Sequence, residues 1–230
     1  MVRIFNKNMF VMLLSIMIGV IIITYFFADI KARSEEEEKY NIEIGNIQQK
    51  NFNFTSYFIK SSVILDKARE NRAFGNYHFD LGLIWYQSAL SAKNSSIMDL
   101  YKFRGIDNCT NGMPYFYNSH LNFKEANKFF LETKLLTNNI KYIEILNIYE
   151  NLTNSGSNLT MLRYQADQYL KYLLENLTFN EEANNVTYLT NVTELLELFD
   201  GAIKDYEEEK KEYEEHKDEI DEYEFFDEQR

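Results

Sequence analysis

The sequence predicts an all-α protein, and three observations carry that prediction. Breakers are scarce, with one Pro at position 114 and eight Gly in 230 residues. Apolar residues recur at spacings of three and four, the helical period, over long stretches. Aromatics reach 16% of the chain, enough bulky surface for a domain of this length to bury its own core. Cys109 is the only cysteine, so packing must replace intrachain disulfides and cysteine-based zinc cages. The expected architecture is a single N-terminal transmembrane helix, then an extracytoplasmic helical bundle or helical-hairpin array, ending in a long charged helix. The corresponding boundaries are a short cytoplasmic stretch (1–8), an anchor (9–28), a helical domain (29–203) and an acidic C-terminal helix (204–230).

The anchor rests on the run MFVMLLSIMIGVIIITYFFA from Met9 to Ala28, twenty residues without a charge. As a helix rising about 1.5 Å per residue it would span about 30 Å, the thickness of a bilayer's hydrocarbon core. It is longer than the apolar region of a cleaved secretory signal, and bulky Tyr25, Phe26 and Phe27 stand where such a signal carries small residues. Lys and Arg flank it almost evenly, so the charges leave its orientation undecided. Orientation is read instead from Asn-x-Ser/Thr acceptors at Asn53, Asn94, Asn108, Asn151, Asn158, Asn176, Asn185 and Asn191. Seven of the eleven Thr stand two residues after an Asn, and every acceptor follows the apolar run. Such sites are glycosylated only outside the cytoplasm, which predicts a single-pass cell-membrane glycoprotein with its N-terminus inside. The competing reading is that Asn and Thr serve as turn and cap residues.

Four capping-box patterns mark expected helix starts: SEEE from Ser34, NFKE from Asn122, TFNE from Thr178 and NVTE from Asn191. After Ser34, the apolar positions Ile44, Ile47, Phe54, Phe58, Leu65 and Ala68 form one stripe, with Asn51 and Ser61 filling its gaps, on a helix expected to reach about Glu70. FDLGLIWYQSAL (79–90) is apolar on most sides and reads as a buried helix, with Trp85 in the core. GIDNCTNGMP (105–114) reads as the clearest loop. Helices are then expected over about 123–137, 139–152, 159–177 and 192–226, the third with Leu162, Ala166, Tyr169, Leu170, Leu173 and Leu177 on one face. Short links imply antiparallel neighbours. LNFKEANKFFLETKLL (121–136), with Ala126 as its small contact residue, keeps a tetratricopeptide-like hairpin array open as an alternative, although no 34-residue repeat recurs.

The net charge of −12 is uneven: residues 204–230 alone carry −9, and Lys and Arg are scattered singly among acids. No basic footprint for nucleic acid is present. In the acidic helix Phe199, Tyr206, Tyr213 and Ile220 recur every seven residues, a narrow seam suited to a protein partner or to self-association. Phosphate-cradling glycine loops, metalloprotease helices and nucleophile elbows are missing from the sequence, so no catalytic, cofactor-binding or metal residue is nominated. DNCTNG (107–112) misses a calcium loop at its third position, which is Cys109. Cys109 with His120, and His78 with Asp80, are the remaining pairs with acid-base or nucleophilic potential. The expected function is binding or spacing by a membrane-anchored helical domain without enzymatic activity. The alternatives are a scaffold subunit of a membrane complex facing the cytoplasm, and a hydrolase.

Overall fold

A computed structural model describes residues 7–223, with the backbone alone for 7–16 and 18–23. The described residues are almost wholly helical: α1 (Lys7–Leu90), α2 (Ser95–Lys134), α3 (Ile140–Glu175) and α4 (Thr193–Asp221), with one two-stranded hairpin of β1 (Leu177–Asn180) and β2 (Asn185–Tyr188) before α4. The chain divides into two compact units, Met1–Phe52 and Asn53–Arg230.

In the first unit the helix is solvated over residues 24–52, where only Ile44 is half-buried, with exposed i,i+4 pairs Arg33–Asp29 and Lys31–Glu35. The predicted cell-membrane localisation needs correction here. Among the described residues no helix is long and apolar enough to cross a membrane. Most side chains of the predicted anchor lie outside the described residues, as does most of the predicted cytoplasmic stretch. The helix does not stop behind the apolar run: it continues through eight charged residues between 29 and 39. A single-pass, N-inside arrangement is therefore not supported.

The second unit is an antiparallel four-helix bundle. Its topology follows from links of four and five residues, 91–94 and 135–139, which leave consecutive helices no option but to pack side by side. Contacts run in reverse order along each pair. Phe58 meets Phe130 while Gly75 meets Phe116 and Gly82 meets Cys109. On the next pair, Lys134 bonds Glu150, Asn127 bonds Asn154 and Lys102 donates to the carbonyls of Glu175 and Leu177. That last contact sets a cation at the negative end of α3. Across α3 and α4, Ser155 bonds Glu209, while Tyr223 just beyond α4 donates to the carbonyl of Lys141. Arg69 Nε donates to the Tyr213 hydroxyl and closes α4 onto α1.

A seven-residue repeat organises the interior. On α1 the buried small residues Ser61, Ala68, Gly75, Gly82 and Ala89 face a matching row on α2, Gly105, Gly112, Ser119, Ala126 and Thr133. Small side chains on both helices let the backbones approach, and Ser119 Oγ reaches the carbonyl of Ala68 across the gap at 2.7 Å. Large rings then fill the spaces that the missing side chains leave. A Cβ at Gly75 would lie 2.6 Å from the Phe116 ring, and one at Gly156 would lie 2.5 Å from that of Phe123.

This packing explains where the local reading fails. The predicted loop 105–114 lies inside α2, because Gly105 and Gly112 make room for Leu174 and Asp167 of α3 rather than turning the chain. Pro114 faces solvent, so the carbonyl left without its helical bond is not trapped in the core. The helices predicted at 139–152 and 159–177 are one, α3, and the helix predicted to end near Glu70 continues to Leu90. Trp85 is half-buried, stacked on Tyr101 and with the Arg104 guanidinium over its ring, and is not a core residue. Thr178 lies within strand β1 rather than at the start of a helix. The hairpin turn holds Asn184 at φ 50, a conformation that Asn tolerates better than most residues.

Candidate functional site

Extending the seven-residue rows exposes two residues that break the pattern. On α1 the row Phe58, Leu65, Arg72, Phe79, Tyr86 is apolar except for Arg72. On α3 the row Tyr149, Gly156, Arg163, Leu170 is apolar except for Arg163. Both arginines meet the aromatic seam of α4. Arg163 is held between two rings, its guanidinium carbon 4.4 Å from the centre of Phe79 and 3.6 Å from that of Tyr206. Arg72 lies over Tyr213 at 4.1 Å. Stacking of this kind fixes a guanidinium plane without using its N–H donors.

The donors are in fact left over. Arg72 Nη1 and Arg163 Nε are buried with no hydrogen-bond partner, and so is the Oδ1 of Asn76, one turn beyond Arg72. A buried polar atom without a partner costs about 1–3 kcal/mol, more when charged. Arg72, Asn76 and Arg163 also line one cleft of about 250 Å³ between α1, α3 and α4, together with Asp80, Leu159, Tyr206, Lys210 and Glu214, although the three unpaired atoms themselves are shut off from solvent. Three cations against two carboxylates leave the lining with a formal charge of +1, in a chain whose net charge is −12. Chemically the lining combines two arginines and a lysine, an amide side chain, two carboxylates and an aromatic wall.

One turn after Arg163, Asp167 is fully buried where Gly112 of α2 leaves space, beside the Cys109 thiol, and neither carboxylate oxygen makes a hydrogen bond of good geometry. Burial pushes its carboxyl up to about 7, against smaller opposing pulls from the Cys109 thiol, Arg163 and Lys171. Burial and the Asp167 charge in turn push the Cys109 thiol up, which keeps it protonated and unreactive.

The other residues singled out in the sequence have local partners. Cys109 and His120 are not brought together: Cys109 is buried beside Gly82, and His120 Nδ1 contacts the Ser157 hydroxyl at 2.9 Å. His78 Nδ1 lies 3.3 Å from Asn108 Oδ1, and Asp80 faces the cleft. The stretch 107–112 is helical, and among the described residues no group of three or more His, Cys, Asp or Glu is placed to hold a metal ion. The seam of α4 turns inward, with Tyr206, Tyr213 and Ile220 buried and Phe199 half-buried in the bundle.

Several acceptor asparagines hold the fold together. Asn94 caps α2 through Ile97 N, Asn191 accepts from Thr193 N, and Asn176 at the end of α3 bonds the carbonyl of Tyr172 and the hydroxyl of Thr190. Asn108 donates to the carbonyl of Arg104. Asn53 is half-buried, and Asn151, Asn158 and Asn185 are exposed. The Thr two residues after Asn151 and Asn158 are fully buried, each hydroxyl bonded one turn back in α3. Asn191 Oδ1 accepts from both the backbone N–H and the hydroxyl of Thr193, so capping accounts for the spacing of that pair.

Neither arginine stands out in the sequence alone, because each is one of several cations scattered along a long helix. The available signal was the seven-residue row: continuing Phe58 and Leu65 forward meets Arg72 where an apolar residue belongs. Compared with known proteins, the chain matches no family model, no curated protein and no solved structure.

Proposed function

We propose that the chain is a binding module that acts by recognition rather than by bond-making, with the cleft between α1, α3 and α4 as its site. The observation that carries this reading is the pair of arginines at interior positions of two seven-residue rows, with donors left unpaired. Residues that break an otherwise consistent pattern at a cost in stability are the ones a binding role explains. The groups around the cleft suit recognition: guanidinium planes fixed by rings, an amide oxygen and two carboxylates. No docking role is assigned to the α4 seam, since its residues are used inside the bundle. A nucleic-acid partner is not part of the reading, because the chain carries twelve more acids than bases.

The test is the side-chain Nε–Hε resonance of Arg163 in the full-length protein, titrated with a panel of small charged metabolites. A saturable shift of that resonance, together with backbone shifts confined to the cleft, is expected. A panel of carboxylates, amines, amino acids and phosphates that moves none of these signals would overturn the reading.

A further inference from the structure

We infer that the outer face of α2 is self-complementary, and that two copies of the chain pair along it with their α2 helices antiparallel. The inference is independent of the cleft.

This face lies opposite the buried row of α2. Ten positions, separated by alternating gaps of four and three residues from Phe103 to Leu135 at the C-cap, are all exposed. On a helix they form a stripe about 48 Å long, with the spacing of a coiled-coil seam. Six of the ten are apolar: Phe103, Pro114, Tyr117, Leu121, Leu131 and Leu135. The five large ones range from 39% exposed at Leu131 to 82% at Leu135. At about 200 Å² for each such residue they leave about 600 Å² open per copy, or about 1,200 Å² in a pair, the lower end of a specific interface. The exposed face of α3 has a different composition at comparable spacing, Glu144, Asn147, Asn151, Asn154, Asn158 and Gln165. Within one bundle, α3 meets solvent with amides and α2 with rings and leucines. A stripe of that kind marks an interaction surface.

Charge selects both the occupant and its direction. Parallel copies in register would set Lys124 against Lys124, Lys128 against Lys128 and Asp107 against Asp107. Like charges facing each other across an interface are costly. Reversing one helix about the point between Tyr117 and Leu121 removes all three conflicts. Phe103 then meets the second copy's Leu135, Tyr117 meets its Leu121, and Asp107 lies one layer from its Lys128. That lysine also comes opposite Thr110, whose carbonyl Pro114 leaves without a helical N–H. Two-fold symmetry repeats every contact. The outer stripe of α1 does not serve the same purpose. Its Ile59, Val63, Tyr77 and Ile84 are interrupted by Asp66, Glu70 and Asp80 with no base in the stripe, so pairing it with itself brings acids together.

The experiment is sedimentation equilibrium of the full chain at about 0.15 M salt. A dimer of twice 27.4 kDa is expected. Y117E/L121E changes two exposed residues and should keep the helical signal while sedimenting as a single chain. N118C, exposed beside the two-fold, should form a disulfide-linked pair on mild oxidation, whereas K124C should not; Cys109 is buried and stays out of this reaction. D107K should weaken the dimer several-fold, and D107K/K128D should recover it. A single chain at every concentration would overturn the inference, as would association that Y117E/L121E leaves unchanged. Species that keep growing beyond the dimer would mean head-to-tail contacts between unlike surfaces and would overturn it too. Linkage at K124C in place of N118C, or a dimer indifferent to D107K, would contradict the antiparallel register.

Discussion

Asp167 is the residue whose environment most directly sets a measurable property. Its carboxyl titrates at about 7 in the folded chain against 3.8 ordinarily, so the native state holds the proton more tightly than the unfolded state. Its contribution is therefore most favourable at low pH, falls as pH rises from about 4 to about 7, and is fully unfavourable above that. D167N removes the titration but keeps the shape. The variant should be more stable than the parent at pH 8, by a few kcal/mol on the scale of about 1.4 per pKa unit, and the difference should shrink toward pH 4. Urea unfolding across this range checks it; a constant difference at all pH values would contradict the assignment. The glycines give a second residue-scale contrast. Ala at Gly156 or Gly75 meets a phenylalanine ring at 2.5 or 2.6 Å, whereas a Cβ at Gly201 meets nothing within 4 Å. Overpacking should cost about 1–3 kcal/mol at the first two. Helix propensity should add stability of up to about 1 kcal/mol at Gly201.

At the scale of the elements, α4 is the most informative. Its seven-residue recurrence is legible in the sequence, but the sequence does not say whether the seam faces a partner or the chain's own core. Charged residues on every other side favour an outward reading, and only the rows on α1 and α3 show that the bundle lacks a fourth wall without it. Because Tyr206, Tyr213 and Ile220 are buried, a chain ending at Lys204 should lose cooperative unfolding rather than remain a folded bundle. Y213A should cost about 3–5 kcal/mol, the range for deleting a large buried ring. Circular dichroism melting decides both, and a sharp, unshifted transition in either would contradict the packing. The stretch 105–114 shows the opposite failure. Gly, Asn and Pro in close succession carry the chemistry of a turn, yet two of the glycines are spaced seven apart and face another helix. Local composition outweighed periodicity in reading that segment, and the periodicity describes what forms. The hairpin at 177–188 was hidden because TFNE matches a helix cap as well as a strand end.

For the whole molecule, the all-α class follows from scarce breakers and helical spacing, and the antiparallel neighbours follow from short links. The localisation does not stand, since a window of apolar residues says nothing about the helix that continues beyond it. The candidate site was illegible for a different reason: it exists only where α1, α3 and α4 converge, and each helix contributes one or two unremarkable residues. Arg72, Asn76 and Arg163 acquire meaning from the rings stacked on them and from the partners they lack. Interior arginines kept for a ligand should make the empty protein less stable than it need be, because apolar residues in their place would leave no charge to desolvate. The most direct measurement is therefore the unfolding free energy of the ligand-free R72M/R163M double variant beside the parent at one pH and salt concentration. The expected result is a variant at least as stable as the parent that no longer shifts in melting temperature with any ligand of the cleft. A variant several kcal/mol less stable would mean that the arginines serve the fold, and would contradict the binding role.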